Sequence, residues 1–168
     1  GYNIQKSLHE ENVDHLIKEI LDFSSKNNCR LVLPIDVVTA DKISDKADTK
    51  ESEIDNIEEQ NMILDIGKNT LKLIKNEISK SKTVFWNGPL GVFETSPFDR
   101  GTVEIAKFIS NLTANNKIRS FAGGGDTISA LDLAGVKDNF SYVSTGGGAL
   151  LELIEGKKLP GLVALGIL

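Results

Sequence analysis

Arg119-Ser-Phe-Ala-Gly-Gly-Gly-Asp-Thr127 and, after a short interval, Phe140-Ser-Tyr-Val-Ser-Thr-Gly-Gly-Gly148 each read as an apolar strand that runs directly into a glycine turn. Helical sequence follows both times. Thr127 is placed to cap a helix reaching Leu133 and stopped by Gly135, and a second helix spans Ala149 to Glu155 before Gly156. Strands that alternate with helices in this way build parallel sheets. In such sheets the ligand crevice lies beyond the carboxyl ends of the strands.

The same grammar extends towards the start of the chain. Thr83-Val-Phe-Trp86 is another short strand, with Phe85 and Trp86 as core aromatics, and it enters the turn-rich Asn87-Gly88-Pro89-Leu90-Gly91. A helix over about 99–113 puts Ile105, Phe108, Ile109 and Leu112 on one face. Met62-Ile-Leu-Asp65 is a short strand closed by Gly67, and Asn69 or Thr70 can cap the helix that carries Leu71, Ile74 and Ile78. Arg30 to Thr39 reads as a buried strand, and Val13, Leu16, Ile17, Ile20 and Leu21 predict a helix over about 11–27. The expected fold is Rossmann-like, a three-layer α/β/α arrangement whose parallel sheet is covered on both faces.

Composition narrows the partners. The 168 residues are 40% hydrophobic and 26% charged, an ordinary globular balance. No apolar run is long enough to span a bilayer and no signal-peptide pattern opens the chain. Net charge is −5, which argues against nucleic-acid or anionic-membrane binding. Asp41 to Glu59 holds eight acidic residues against Lys42, Lys46 and Lys50, so this segment alone supplies that charge; it reads as a solvated connector with a polar helix face. Cys29 is the only cysteine, which excludes an intrachain disulfide, fits a reducing cytoplasm, and suggests a small buried or half-buried hydrophobe. His9 and His15 lack the companions of a zinc site and read as surface residues.

Glycine turns at the ligand edge suit phosphate. Glycine lets the backbone approach an anion closely, and the helix that follows supplies free N–H groups and a partial positive charge. A tight strand-to-helix turn explains one Gly-Gly-Gly equally well; two of them beside Asn87-Gly88-Pro89 are more specific. Asp126 is either a helix N-cap or a carboxylate that ligates magnesium while the metal bridges phosphate oxygens. There is no Gly-x-x-x-x-Gly-Lys-Ser/Thr loop, and no strand-coupled Gly-x-Gly-x-x-Gly with a following acidic residue.

Taken together, Leu31-Val-Leu-Pro-Ile-Asp-Val-Val-Thr-Ala-Asp41, Phe85-Trp-Asn-Gly-Pro-Leu-Gly-Val-Phe-Glu94, Gly123-Gly-Gly-Asp-Thr127, Val143-Ser-Thr-Gly-Gly-Gly-Ala149, Leu151-Glu-Leu-Ile-Glu-Gly156 and Leu159-Pro-Gly161 closely resemble the C-terminal domain of phosphoglycerate kinase. The resemblance implies phosphoryl transfer between 1,3-bisphosphoglycerate and Mg-ADP, giving 3-phosphoglycerate and Mg-ATP, in a cytoplasmic glycolytic enzyme that is a monomer at full length. It implies Asp126 as the Mg²⁺-associated residue and Gly124, Gly125, Thr127, Thr145 and Gly146 as ATP/ADP contacts. Gly125, Gly147 and Gly148 would be the catalytic backbone positions facing the transferring group. Asn87 would lie near the phosphates and Glu94 at the ribose, while Leu8, Met62, Leu64 and Val92 would line the adenine slot. Leu8, Met62 and Leu64 also read as ordinary core residues.

Against that family, residues 1–168 match only a partial C-terminal nucleotide-binding domain. The N-terminal phosphoglycerate-binding domain is missing, as are the units carrying a Gly-Ser-Lys phosphate lysine and a Gly-Gly stretch beside the adenine. The chain alone is therefore expected to be a fragment without turnover, to bind Mg-ADP weakly, and to self-associate through a raw sheet edge. The alternative is a non-catalytic adenine-nucleotide-binding or interaction module of the same fold.

Overall fold

Apolar runs become strands only where they find a neighbour to pair with, and the chain does this in two separate groups. The computed structural model describes residues 2–167, which divide into two units, Gly1–Ile74 and Lys75–Leu168. In the first unit α1 (Asp14–Lys26) is followed by β1 (Asp36–Ala40), β2 (Lys50–Glu53) and β3 (Met62–Ile66), and α2 (Lys68–Lys80) begins. The strands pair in the order β2-β1-β3, antiparallel throughout. Val37, Ala40, Leu64, Ile66 and Leu71 are buried there.

Several expectations fail in this unit. The strand expected from Arg30 begins only at Asp36, and its pairing is antiparallel. Residues 30–34 join no ladder among the described residues, so Leu31 and Leu33 stay exposed, as does Ile35. Pro34 offers no N–H to a ladder in any case. Helix α1 forms where its periodicity predicts, yet buries none of its residues. Cys29 is exposed. The acidic stretch contains the edge strand β2 rather than a helix face, with Lys50 paired to Glu58 and Lys68 to Glu51 at 3.1 Å.

The second unit follows the expected pattern closely. It contains β4 (Thr83–Trp86), α3 (Arg100–Ala114), β5 (Arg119–Ala122), α4 (Gly125–Ala134), β6 (Tyr142–Val143), α5 (Gly148–Ile154) and α6 (Pro160–Ala164). The order β4-β5-β6 is parallel, with Phe85 opposite Phe121 and Phe121 opposite Tyr142. Alternation then sends Trp86, Ser120 and Ala122 to the other face, where they are buried. Ile105, Ala106 and Ile109 of α3 and Ala130, Leu131 and Ala134 of α4 complete that core. Trp86 meets Phe140 with ring centroids 6.3 Å apart. Phe85, expected in the core, is 40% exposed because it belongs to the opposite face of the sheet. The fold is thus mixed α/β with a parallel sheet.

The start of α2 is held from outside the helix. Neither Asn69 nor Thr70 caps it; the carboxylate of Asp36 on β1 does. Asp36 Oδ2 accepts the Asn69 amide at 2.8 Å, and Oδ1 accepts the Thr70 amide at 2.6 Å and the Thr70 hydroxyl at 2.7 Å. Thr70 Oγ1 in turn accepts the amides of Ile35 and Asp36, each at 3.0 Å. Gly67 is obligatory here, since a Cβ would lie 2.3 Å from Asp36 Cγ. Burial pushes the Asp36 pKa up, but the hydroxyl of Thr70 and the amides of Thr70 and Asn69 outweigh it and hold the carboxyl below its ordinary value. A depressed carboxyl stabilises the fold above its unfolded pKa, and that contribution is lost as pH falls through the folded value. Asp36→Ala is expected to lower unfolding free energy by about 3 kcal/mol in urea titrations at neutral pH. The loss should shrink as the pH is taken below the ordinary aspartate range; a constant difference would contradict the linkage.

Candidate phosphate-binding site

Three loops leave the second sheet at one edge because its strands are parallel and nearly in register. The ladder runs one step past each strand. Gly123 N–H donates to the carbonyl of Trp86 at 3.1 Å, and Ser144 N–H donates to that of Ala122 at 2.9 Å. From there Gly124 turns the chain into α4 with φ +95° and ψ 143°, and no side chain caps the helix. The first bond along α4 runs from Ile128 N–H to the Gly124 carbonyl at 3.1 Å. The amides of Gly125, Asp126 and Thr127 therefore precede any intrahelical acceptor and belong to the electropositive end of the helix. Gly125 and Asp126 are exposed there, while Thr127 is 1% exposed. The second glycine loop turns at Gly147, φ +55°, into α5, which has only seven residues and so a smaller dipole than α4.

The loop after β4 is fixed by side chains of the core. The Gly88 amide donates to Thr127 Oγ1 at 2.7 Å, and the Gly88 carbonyl accepts the indole N–H of Trp86. The Leu90 amide donates to Thr102 Oγ1 at 2.9 Å. Asn87 is exposed and stands next to the turn into α4, since a Cβ on Gly124 would lie 3.2 Å from Asn87 Oδ1. Among the described residues no three His, Cys, Asp or Glu side chains gather as a metal cage. Asp126 is a single exposed carboxylate in the first turn of α4, with no ion pair to a described residue. That arrangement fits magnesium, which commonly takes one or two carboxylates and completes its shell with water and phosphate oxygens.

Residues 1–157 match the family model described as phosphoglycerate kinase. The chain belongs to the phosphoglycerate kinase family. It is 45% identical over 165 residues to the phosphoglycerate kinase of Chelativorans sp. strain BNC1, covering 98% of this chain and 42% of that protein. With the enzyme of Chloroherpeton thalassium the identity is 46%, over 98% of this chain and 41% of the relative. The structure of phosphoglycerate kinase from Coxiella burnetii superposes with a TM-score of 0.87 at 38% identity, covering 94% of this chain and 40% of that one. The chain thus spans about two-fifths of the length of the phosphoglycerate kinases it matches.

The structure brings part of the expected residue set together. Asn87, Gly124, Gly125, Asp126 and Thr127 form one continuous feature around the start of α4. Thr145, Gly146 and Gly147 lie in the loop from β6 to α5 and Gly148 opens that helix; within the loop the Gly146 amide donates to the hydroxyl of buried Ser144 at 3.2 Å. Val92 is half-buried and Glu94 exposed in the segment between β4 and α3. Leu8, Met62 and Leu64 belong to the first unit: Leu64 is buried and Met62 half-buried, but Leu8 is 101% exposed and so is no core residue. Two local expectations need correction. Neither Thr127 nor Asp126 is the N-cap of α4; Gly124 holds that position, and the Thr127 hydroxyl is turned to Gly88 instead.

Thr102 escaped the sequence reading, and Ser144 was read only as part of the second glycine loop, without its hydroxyl's bond to the Gly146 amide. Thr102 had a signal, because it shares the inward phase of Ile105, Ala106 and Ile109 and is a hydroxyl within an apolar stripe. A buried hydroxyl in that position needs a partner. The turn at Gly124 makes the strictest demand on sequence, since its backbone lies in a region that costs other residues about 1–3 kcal/mol. Gly124→Ala is expected to destabilise the chain by about 2 kcal/mol in chemical denaturation. Gly125→Ala, whose Cβ meets nothing within 4 Å, should change stability by less than about 1 kcal/mol. Equal effects at the two positions would contradict the geometry.

Proposed function

We propose that the chain is the nucleotide-side part of a cytoplasmic phosphoglycerate kinase that moves a phosphoryl group between 1,3-bisphosphoglycerate and Mg-ADP, giving 3-phosphoglycerate and Mg-ATP. The observation that carries this reading is the uncapped start of α4, with free amides, an unpaired Asp126 and the strapped Asn87 loop together on one sheet edge. Family membership supplies the reaction class. In this reading the amides of Gly125, Asp126 and Thr127 bind the nucleotide phosphates. Asn87 orients them from the side, and Asp126 holds Mg²⁺. The metal would neutralise charge on the phosphate oxygens as the phosphoryl group moves.

Thr145 and Gly146 contact the nucleotide from the second glycine loop, and the backbone of Gly147 and Gly148 faces the transferring group, as does Gly125. Glu94 accepts hydrogen bonds from the ribose, and Val92 lies beside the base. Phosphoryl transfer depends on positioning and charge stabilisation rather than on a covalent intermediate with the protein. Preorganised backbone donors in a water-excluded site are each worth about 3 kcal/mol in such a transition state.

The complete reaction is proposed for a protein of the relatives' length, and nucleotide binding without turnover for the 168 residues alone. A coupled assay should give no ATP from 1,3-bisphosphoglycerate and Mg-ADP with this chain; turnover at the rate of a whole enzyme would overturn the division of labour. Calorimetry should show ADP binding about tenfold or more tighter with magnesium than with EDTA. Asp126→Asn should erase that difference while sparing the metal-free affinity. A magnesium dependence that survives the substitution would remove Asp126 from the metal.

A further inference from the structure

The loop from Asn87 to Gly91 carries a polar side chain, Asn87, beside the start of α4, yet the loop has no regular structure of its own. Its order comes from the hydrophobic core. Thr127 and Thr102 are 1% and 0% exposed, and each spends its hydroxyl as acceptor for a single loop amide, Gly88 at 2.7 Å and Leu90 at 2.9 Å. Trp86, 7% exposed, donates its indole N–H to the Gly88 carbonyl. Pro89, between the two strapped amides, has no N–H to satisfy and a fixed φ. Gly88 itself sits at φ +119°, which only glycine adopts without strain, so its position in the turn is enforced by sequence as well as by the straps.

We propose that Thr127 and Thr102 are positioning residues for nucleotide binding, acting through the Asn87 loop and not through contact with phosphate. The inference rests on the reading of α4 as the phosphate site. Thr127 has both roles open to it by location, because it belongs to the first turn of the helix that would meet the phosphates. Its geometry favours the first: the hydroxyl is buried and accepts the Gly88 amide at 2.7 Å, so the partner it has in the structure is the loop. Thr102 stands on a different helix and is fully buried, which leaves it no direct route to a ligand. Two threonines on α3 and α4 therefore fix one loop at two successive points. The loop in turn fixes Asn87 beside Gly124. A pre-ordered loop raises affinity by lowering the entropy lost when the ligand binds.

The test uses amide hydrogen exchange and nucleotide kinetics together. In the chain, Thr127→Val should speed exchange at Gly88 by about tenfold, and Thr102→Val should do the same at Leu90, as expected for loss of one buried acceptor. Thr127→Ser and Thr102→Ser, which keep the hydroxyl, should restore protection. In the whole enzyme proposed above, both valine variants should raise KM for Mg-ADP several-fold, Thr102→Val with kcat nearly unchanged, and both serine variants should return KM to the parental value. If Thr127→Val weakens nucleotide binding while Gly88 exchange stays at the parental rate and Thr102→Val has no effect, Thr127 is a direct phosphate ligand and the proposal is overturned. Faster exchange in both variants with unaltered KM would likewise overturn it, leaving two structural threonines. If the parental protein itself fails to bind Mg-ADP, the phosphate-site reading falls first, a result the exchange data cannot mimic.

Discussion

Parallel pairing of β4, β5 and β6 is the constraint on which the proposed site depends. Strands that run the same way deliver all their carboxyl ends to one edge, so the Asn87, Gly124 and Gly147 turns must emerge side by side whatever their sequences. The ladder bonds that continue past the strands, Gly123 to Trp86 and Ser144 to Ala122, fix the level at which each turn begins. Glycine then decides what the edge looks like. At Gly124 the backbone takes a conformation closed to other residues, and the chain enters α4 with no capping side chain between its first amides and solvent. A serine or aspartate cap would stabilise the helix but occupy the donors that an anion needs.

The two units solve their polar problems with the same device. A buried threonine hydroxyl accepts backbone amides from a neighbouring segment, Thr70 for Ile35 and Asp36 in the first unit, Thr127 for Gly88 and Thr102 for Leu90 in the second. Each bond is worth only about 1 kcal/mol net, yet leaving such an amide buried and unpaired costs more, which makes the arrangement specific as well as stabilising. In the first unit the device anchors a helix start and leaves Asp36 with a depressed pKa. In the second it anchors a loop with no ladder of its own. The difference in use follows from what lies nearby: a carboxylate completes the cap of α2, whereas α4 is left open.

How legible all this was depends on the range of the interactions. Thr83–Trp86 and Arg119–Ala122 were read to the residue, because short apolar runs bounded by polar turns state their own ends. The helices ending at Gly135 and Gly156 were also plain, since both glycines adopt positive φ. The glycine loops come out at the carboxyl edge of the parallel sheet, as their position after the strands predicts, and phosphate binding there is the proposal made above. What the sequence concealed was pairing. Nothing local says that residues 36–40 would find antiparallel partners, or that Leu31, Leu33 and Ile35 would find none. Nor does periodicity show that Gly88 would seek a hydroxyl 39 positions away. Phe85 and Trp86 are adjacent aromatics in one strand, and only the packing of α3 and α4 on a single face decides which is buried.

Charge adds a last consideration. The chain is acidic, which sits awkwardly with a polyphosphate ligand until the charge is divided between the units. Residues 75–168 hold ten Lys and Arg against nine Asp and Glu, a formal +1, whereas residues 1–74 hold nine against fifteen. The unit with the glycine loops is thus nearly neutral. Two of its cations lie at the other end of the strands: Lys117 and Arg119 are just beyond the C-terminal end of α3, at the amino end of β5, where positive charge complements the helix dipole. Binding at the loop edge must then draw on backbone amides and the α4 dipole more than on mobile side-chain charge. Such donors cannot relocate, so they favour an anion whose oxygens match their spacing over one that merely carries charge. That property would suit the phosphoryl-transfer site proposed above, and it is why the proposal gives weight to a loop held by two buried threonines, Thr127 and Thr102.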